Sequence, residues 1–123
     1  MTDPNMVASA QEEFKARIQS WLVAMNDMKI DVSVANAQVD RLRKWVATLD
    51  ERGIARDVLL PLLSDEMPVT RYGAAAYLLR RGEADRALPL LQAMADDPKN
   101  GSLASAADTT LLGWRKEQRA AGQ

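Results

Sequence analysis

The groups able to do chemistry in this 123-residue chain are carboxylates, amines, guanidiniums, hydroxyls and two tyrosines, because it holds neither histidine nor cysteine. Without imidazole, the commonest general base and the commonest transition-metal ligand are missing. Without thiol, the cysteine nucleophile, the zinc–thiolate site and the disulfide are missing too. Acid–base or metal chemistry would need paired carboxylates. The candidates are Asp27 with Asp31 in a polar connection, the adjacent Asp96 and Asp97, and Asp108 on a helical stretch. None has the D-x-D-x-D-G spacing and distal glutamate with which a calcium loop wraps its ion. Nor is there a glycine-rich phosphate loop, a G-x-S-x-G elbow or an H-E-x-x-H pair. No acid–base pair meets the geometric demands of catalysis, so the sequence reads as non-enzymatic, with no catalytic residue, cofactor or metal.

Recognition is the remaining chemistry. Sixteen basic side chains face seventeen acidic ones, for a net charge of −1 and a pI near 5.4. That balance gives no whole-chain attraction to nucleic acid, and an aromatic content of 5% is thin for base stacking. A nucleic-acid reading would rest on Arg41, Arg43, Lys44, Arg80, Arg81 and Arg86, with Asp40, Asp50 and Glu51 flanking the first three. A protein-binding reading rests on the acidic turns Asp65-Glu66 and Asp96-Asp97, together with Tyr72. A row of carboxylates attracts a basic cleft. The Tyr72 phenol either closes a core edge or projects as an interface anchor. Met25, Met28, Met67 and Met94 either fill gaps between helices or form an adaptable surface.

These side chains must be held by helices. Phe14, Ile18, Trp21, Leu22 and Met25 fall on one helical face and predict a helix over about 9–26, opened by a capping box at Ser9 and Glu12. Val39, Leu42, Trp45, Val46 and Leu49 predict a second over about 33–52, with Ser33 as its cap and Gly53 ending it. Trp21 and Trp45 sit on apolar stripes and belong to the core; Trp114 lies near the basic C-terminal end. Residues 1–8 and 120–123 read as flexible extensions of one domain over 9–119. No leader or membrane span is evident, so the expected location is the cytoplasm, with no membrane partner.

The second half repeats itself. Residues 57–63 and 85–91 share D-x-x-L-P-L-L with five of seven positions identical, at an offset of 28 residues. Each Asp is expected as an N-cap and each Pro as a bend near a helix start. Each copy leads to an acidic turn with proline, then to a small-residue helix: Gly73-Ala74-Ala75-Ala76 in one, Ala104-Ser105-Ala106-Ala107 in the other. Arg80-Arg81-Gly82 closes the first of these, and Ser102 is the expected cap of the second.

The run Leu62 to Ala75 resembles the HEAT-type helical repeat, L-L-x-D-x-x-P-x-V-R-x-x-A-A. Asp65, Pro68, Arg71, Ala74 and Ala75 match in register, while Thr70 replaces the valine. The resemblance spans about residues 57–115; the second copy keeps Asp97 and the small residues but has no arginine at that place. The layout is also similar to a family of small bacterial proteins of unknown function built from HEAT-like pairs. The resemblance implies an all-α fold, a short right-handed α-solenoid of three helix pairs. It implies that Arg71 staples one repeat to the next through an ion pair, with Asp97 as one partner, or else contacts a ligand. Some HEAT-like bacterial proteins act as immunity proteins, so the implied role is a protein-binding module that occludes a nuclease toxin. The alternative is a HEAT-like nucleic-acid-binding protein; no small-molecule substrate is expected.

Overall fold

The computed structural model describes residues 3–27 and 32–122. Among these residues the chain forms six α-helices: α1 Pro4–Asn26, α2 Val32–Glu51, α3 Ala55–Leu59, α4 Pro68–Leu78, α5 Ala84–Asp96 and α6 Ser102–Ala121. Short 3₁₀ segments follow at Leu60–Ser64 and Pro98–Asn100, and no strand is present among the described residues. Met28 and Asp31, named above as a surface methionine and a metal candidate, lie outside the described residues.

Helix starts differ from the expected ones. The capping box at Ser9 does not open α1, which begins at Pro4 with Asp3 as its cap; the Asn5 N–H donates to the Asp3 carboxylate at 2.9 Å. Proline at the first helical position sacrifices no helical hydrogen bond, and an aspartate just before it supplies the cap, so Asp3-Pro4 is the stronger signal. Residues 4–8 are therefore helical, and α6 likewise runs on to Ala121. Ser33 and Ser102 lie inside the first turns of α2 and α6 and do not cap them. Asp57 and Asp85 are the third residue of α3 and the second of α5, where their charge meets the positive end of the helix. What fixes those starts is the glycine before them. Gly53 and Gly82 take φ of 72° and 83°, and each reverses the chain out of one helix directly into the next. The Ile54 N–H reaches back to the Leu49 carbonyl at 3.0 Å, and the Glu83 N–H to that of Leu78 at 3.3 Å.

α4 is the centre of the fold. One face gives Val69, Ala74 and Leu78 to a core shared with α1, α2 and α3; another gives Ala75 and Leu79 to a second core with α5 and α6. A helix covered on two sides can only be approached closely if its side chains are small, which accounts for the Gly73-to-Ala76 run. A Cβ built on Gly73 would lie 2.9 Å from Ile18 Cγ1 and 3.0 Å from Phe14 Cζ, so α1 rests almost on the α4 backbone. Phe14, Leu59, Leu78, Leu79, Leu91 and Leu111 are essentially removed from solvent, each worth about 1.5–3 kcal/mol of burial.

Short connections make successive helices antiparallel, and side-chain ties mark the two ends of the stack. At one end the Ser102 hydroxyl donates to Asn26 Oδ1 at 2.6 Å, joining the close of α1 to the start of α6. At the other, Arg81 pairs with Asp50 at 2.6 Å, and Glu83 is held between Arg56 and Arg86. α1 packs on α2, α3 and α4, and α5 packs between α4 and α6, whereas α2 barely touches α4. No described helix is long and apolar enough to cross a membrane.

Candidate functional site

The alternation of helix directions places the turn before α4 and the turn before α6 at the same end of the stack, as a docking edge of acidic turns requires. The individual side chains differ. Asp65 is engaged internally, with Lys15 of α1 at 3.1 Å and the Met67 N–H at 3.1 Å. Burial alone would raise the Asp65 carboxyl, but the Met67 N–H and the Lys15 ammonium more than offset it and hold the group below its ordinary value. Glu66, Asp96 and Asp97 are exposed. Asp97 caps the 3₁₀ turn by accepting the Lys99 N–H at 3.0 Å, and Asp96 accepts from Gln92 at 3.0 Å.

Tyr72 works inside the fold. Its ring stacks on Trp21 with centroids 5.7 Å apart, its hydroxyl lies 3.0 Å from Thr110 Oγ1, and burial raises its pKa. Arg71 does not form the expected ion pair with Asp97. Its Nη1 donates to the main-chain carbonyls of Asp65 at 2.7 Å and Glu66 at 3.1 Å, pinning the turn that precedes its own helix. A guanidinium one turn into a helix reaches back to the chain just before it, and those carbonyls are nearer than any carboxylate of the next repeat. Trp21 is buried, Trp45 is half-buried under the Arg17 guanidinium at 5.3 Å, and Trp114 is half-buried with Arg80 at 6.0 Å.

The largest concavity lies elsewhere. Because α2 leans on α1 and α3 and stands off α4, a groove of about 780 Å³ opens between α2 and α6 across the outer face of α4. α2 contributes Val39, Arg43 and Asp50; α4 and its end contribute Ala76, Tyr77, Arg80 and Arg81; α6 contributes Thr109, Thr110 and Gly113. At one end the groove shares Val39, Ala76 and Tyr77 with an apolar cleft of about 100 Å³, walled by Ile18, Trp21, Leu42 and Tyr72. Three guanidiniums and a single carboxylate line the groove, against a whole-chain charge of −1.

Each of those arginines already holds a carboxylate. Arg43 takes Asp40 at 2.7 Å, Arg80 takes Glu117 through three contacts of 2.9–3.2 Å, and Arg81 forks onto Asp50 at 2.9 and 2.6 Å. The hydrogen bond from Arg81 lowers the Asp50 pKa, and that from Arg80 lowers the Glu117 pKa. Tyr77, chiefly through burial, is pushed up to about 12, so its phenol stays protonated at any ordinary pH. Nothing in the groove offers a proton-transfer pair near neutrality; its chemistry is that of charge-assisted hydrogen bonding beside an apolar cleft.

Of the six cations named for a nucleic-acid surface, the fold gathers Arg43, Arg80 and Arg81 in the groove, while Arg41 faces the α1 side and Arg86 pairs with Glu83. The groove residues Ala76, Tyr77, Thr109, Thr110 and Gly113 were not among the sequence candidates. The available signal was an outer stripe of small residues on α6 at helical spacing, beside the Arg80-Arg81 pair. No protein-family model, curated protein or solved structure matches the chain.

Proposed function

We propose that the chain is a non-enzymatic protein-binding module, a short right-handed α-solenoid of three HEAT-like helix pairs that receives its partner in the groove across α2, α4 and α6. The groove carries this reading: the largest concavity of the described molecule is lined by apolar, hydroxyl and guanidinium groups and by no proton-transfer pair. The HEAT-like assignment is supported by Pro68 at the first position of α4, by Arg71 bonding the preceding turn, and by burial of Ala74 and Ala75.

A narrower form of the same reading, an immunity protein that covers a toxin's basic cleft, is favoured by the exposure of Glu66, Asp96 and Asp97 at one end of the stack. The test for both uses the product of the neighbouring gene as candidate partner, mixed with the full-length chain and followed by amide hydrogen exchange. The groove reading expects slower exchange along α2, α4 and α6 on complex formation. Protection confined to the turns at 65–67 and 96–101, lost when Glu66, Asp96 and Asp97 are replaced by lysine, would move the docking edge to the acidic end. A candidate that cleaves nucleic acid and is silenced by the chain would establish the immunity role; one that binds without being silenced would leave only the module.

A further inference from the structure

We infer that the groove takes an acidic amphipathic segment of the partner protein, with an apolar side chain seated in the cleft beside Val39 and Tyr72 and carboxylates on Arg43, Arg80 and Arg81. The inference rests on the proposed binding role and names the chemistry of what is bound. Two adjoining features carry it. The cleft is walled by aliphatic and aromatic groups and is continuous with the groove through Val39, Ala76 and Tyr77. Val39 is 39% exposed there, an apolar side chain left without a covering partner. Next to it stand three guanidiniums facing one carboxylate in the lining, a local positive excess on a chain of net charge −1.

The guanidiniums also specify the anion. Each already coordinates a carboxylate, Arg80 and Arg81 with both oxygens, so the geometry needed by a partner's aspartate or glutamate is present before binding. The internal partners can be exchanged. The side chains of Arg43 and Asp40 are 68% and 55% exposed, and those of Arg80 and Glu117 44% and 53%. Exposed pairs are worth little, so replacing one carboxylate by another leaves the energy nearly level while the apolar anchor adds to it. A nucleic-acid strand would leave the cleft unused and would approach a chain of the same sign of charge.

The probe is a random-peptide display library selected against the full-length chain, followed by affinity measurements on individual peptides at low and physiological salt. Enrichment of sequences that combine an aromatic or aliphatic residue with several aspartates or glutamates is expected. For such a peptide, R43Q/R80Q should weaken binding about tenfold or more, as should converting its acids to amides, whereas the chain's circular dichroism stays unchanged. Enrichment of basic peptides dependent on Glu66, Asp96 and Asp97 would overturn this inference and leave the binding-module reading standing. Acidic peptides indifferent to R43Q/R80Q would do the same. Displacement of the peptide by a single-stranded oligonucleotide at lower concentration than by a second acidic peptide would make the groove a phosphate site and overturn it. No enrichment of any sequence would overturn both the inference and the module.

Discussion

Two glycines in the middle of helices show how differently the two sides of this molecule are built. Gly73 of α4 faces α1, where an added Cβ would collide with Ile18 and Phe14 at 2.9–3.0 Å. Gly113 of α6 faces the groove, where an added Cβ would meet no atom within 4 Å. Glycine inside a helix costs about 0.5–1 kcal/mol relative to alanine, so each position forgoes stability. At Gly73 the loss is recovered through close helix packing. At Gly113 nothing within the chain recovers it, and what the residue provides is open space at the groove wall. One glycine therefore belongs to the core and the other to a surface kept clear.

The largest expected effect lies on the packed side. Phe14→Ala would empty a fully buried site whose ring meets Trp45 at 6.4 Å and Tyr77 at 6.1 Å, and thermal or denaturant unfolding should record a loss of about 3–5 kcal/mol. Gly73→Ala should come next. Overpacking costs about 1–3 kcal/mol and the better helix former returns up to about 1, so a net loss of about 1–2 kcal/mol is expected. A stabilised G73A variant would mean that α1 and α4 are not in close contact.

Acid should act more gently, through the ties that join helices around the groove. The carboxyls of Asp50, Asp65 and Glu117 are lowered from 3.8, 3.8 and 4.5, so each binds its proton less readily folded than unfolded. Their contribution is fully present above the unfolded pKa and is lost as the pH falls through the folded one. The melting temperature should drop by a few degrees below about pH 4, with a smaller drop in D50N, where one of the three is already neutral. An equal drop in D50N would remove the Arg81–Asp50 pair from the account. The smallest effect is a gain: Gly113→Ala should stabilise the chain by at most about 1 kcal/mol, because the new methyl group meets open space and the helix gains a better former.

Helix number and most boundaries were legible because apolar spacing and glycine stops are local signals. Gly53 and Gly82 end helices where the sequence places them, and the second helix was expected within a residue of both its ends. The two D-x-x-L-P-L-L copies show where local reading stops. Counting from the helix starts at Ala55 and Ala84, proline is the seventh residue in the first copy and the sixth in the second. The first copy gives way to a 3₁₀ segment at Leu60 and buries Leu59 and Leu62, three apart; the second stays α-helical to Asp96 and buries Ala87, Leu91 and Met94, four and three apart. Near-identical residues take different helices because the surfaces they must meet repeat at different spacings, and those surfaces come from distant helices.

The site was less legible than the fold. Arg43, Arg80 and Arg81 were visible as cations, yet nothing local shows that α2 stands away from α4, and that gap is what turns them into the wall of one groove. The acidic turns were visible as charge, but the Lys15 that occupies Asp65 comes from fifty residues earlier in the chain. Tyr72 was read as either a core edge or an anchor, and the choice depends on Trp21 and Thr110, from two other helices.

The central claim is that the open side of the molecule is its binding face. The most direct measurement compares partner or selected-peptide affinity for wild type, Gly113→Ala and Gly113→Trp, with each melting temperature recorded alongside. The indole of G113W would project into the groove from a position where nothing obstructs it, so the fold should stay intact. The account predicts that G113A binds as wild type does and that G113W melts no lower than wild type but loses at least about tenfold in affinity, roughly 1.4 kcal/mol. Undiminished binding by a fully folded G113W would contradict it.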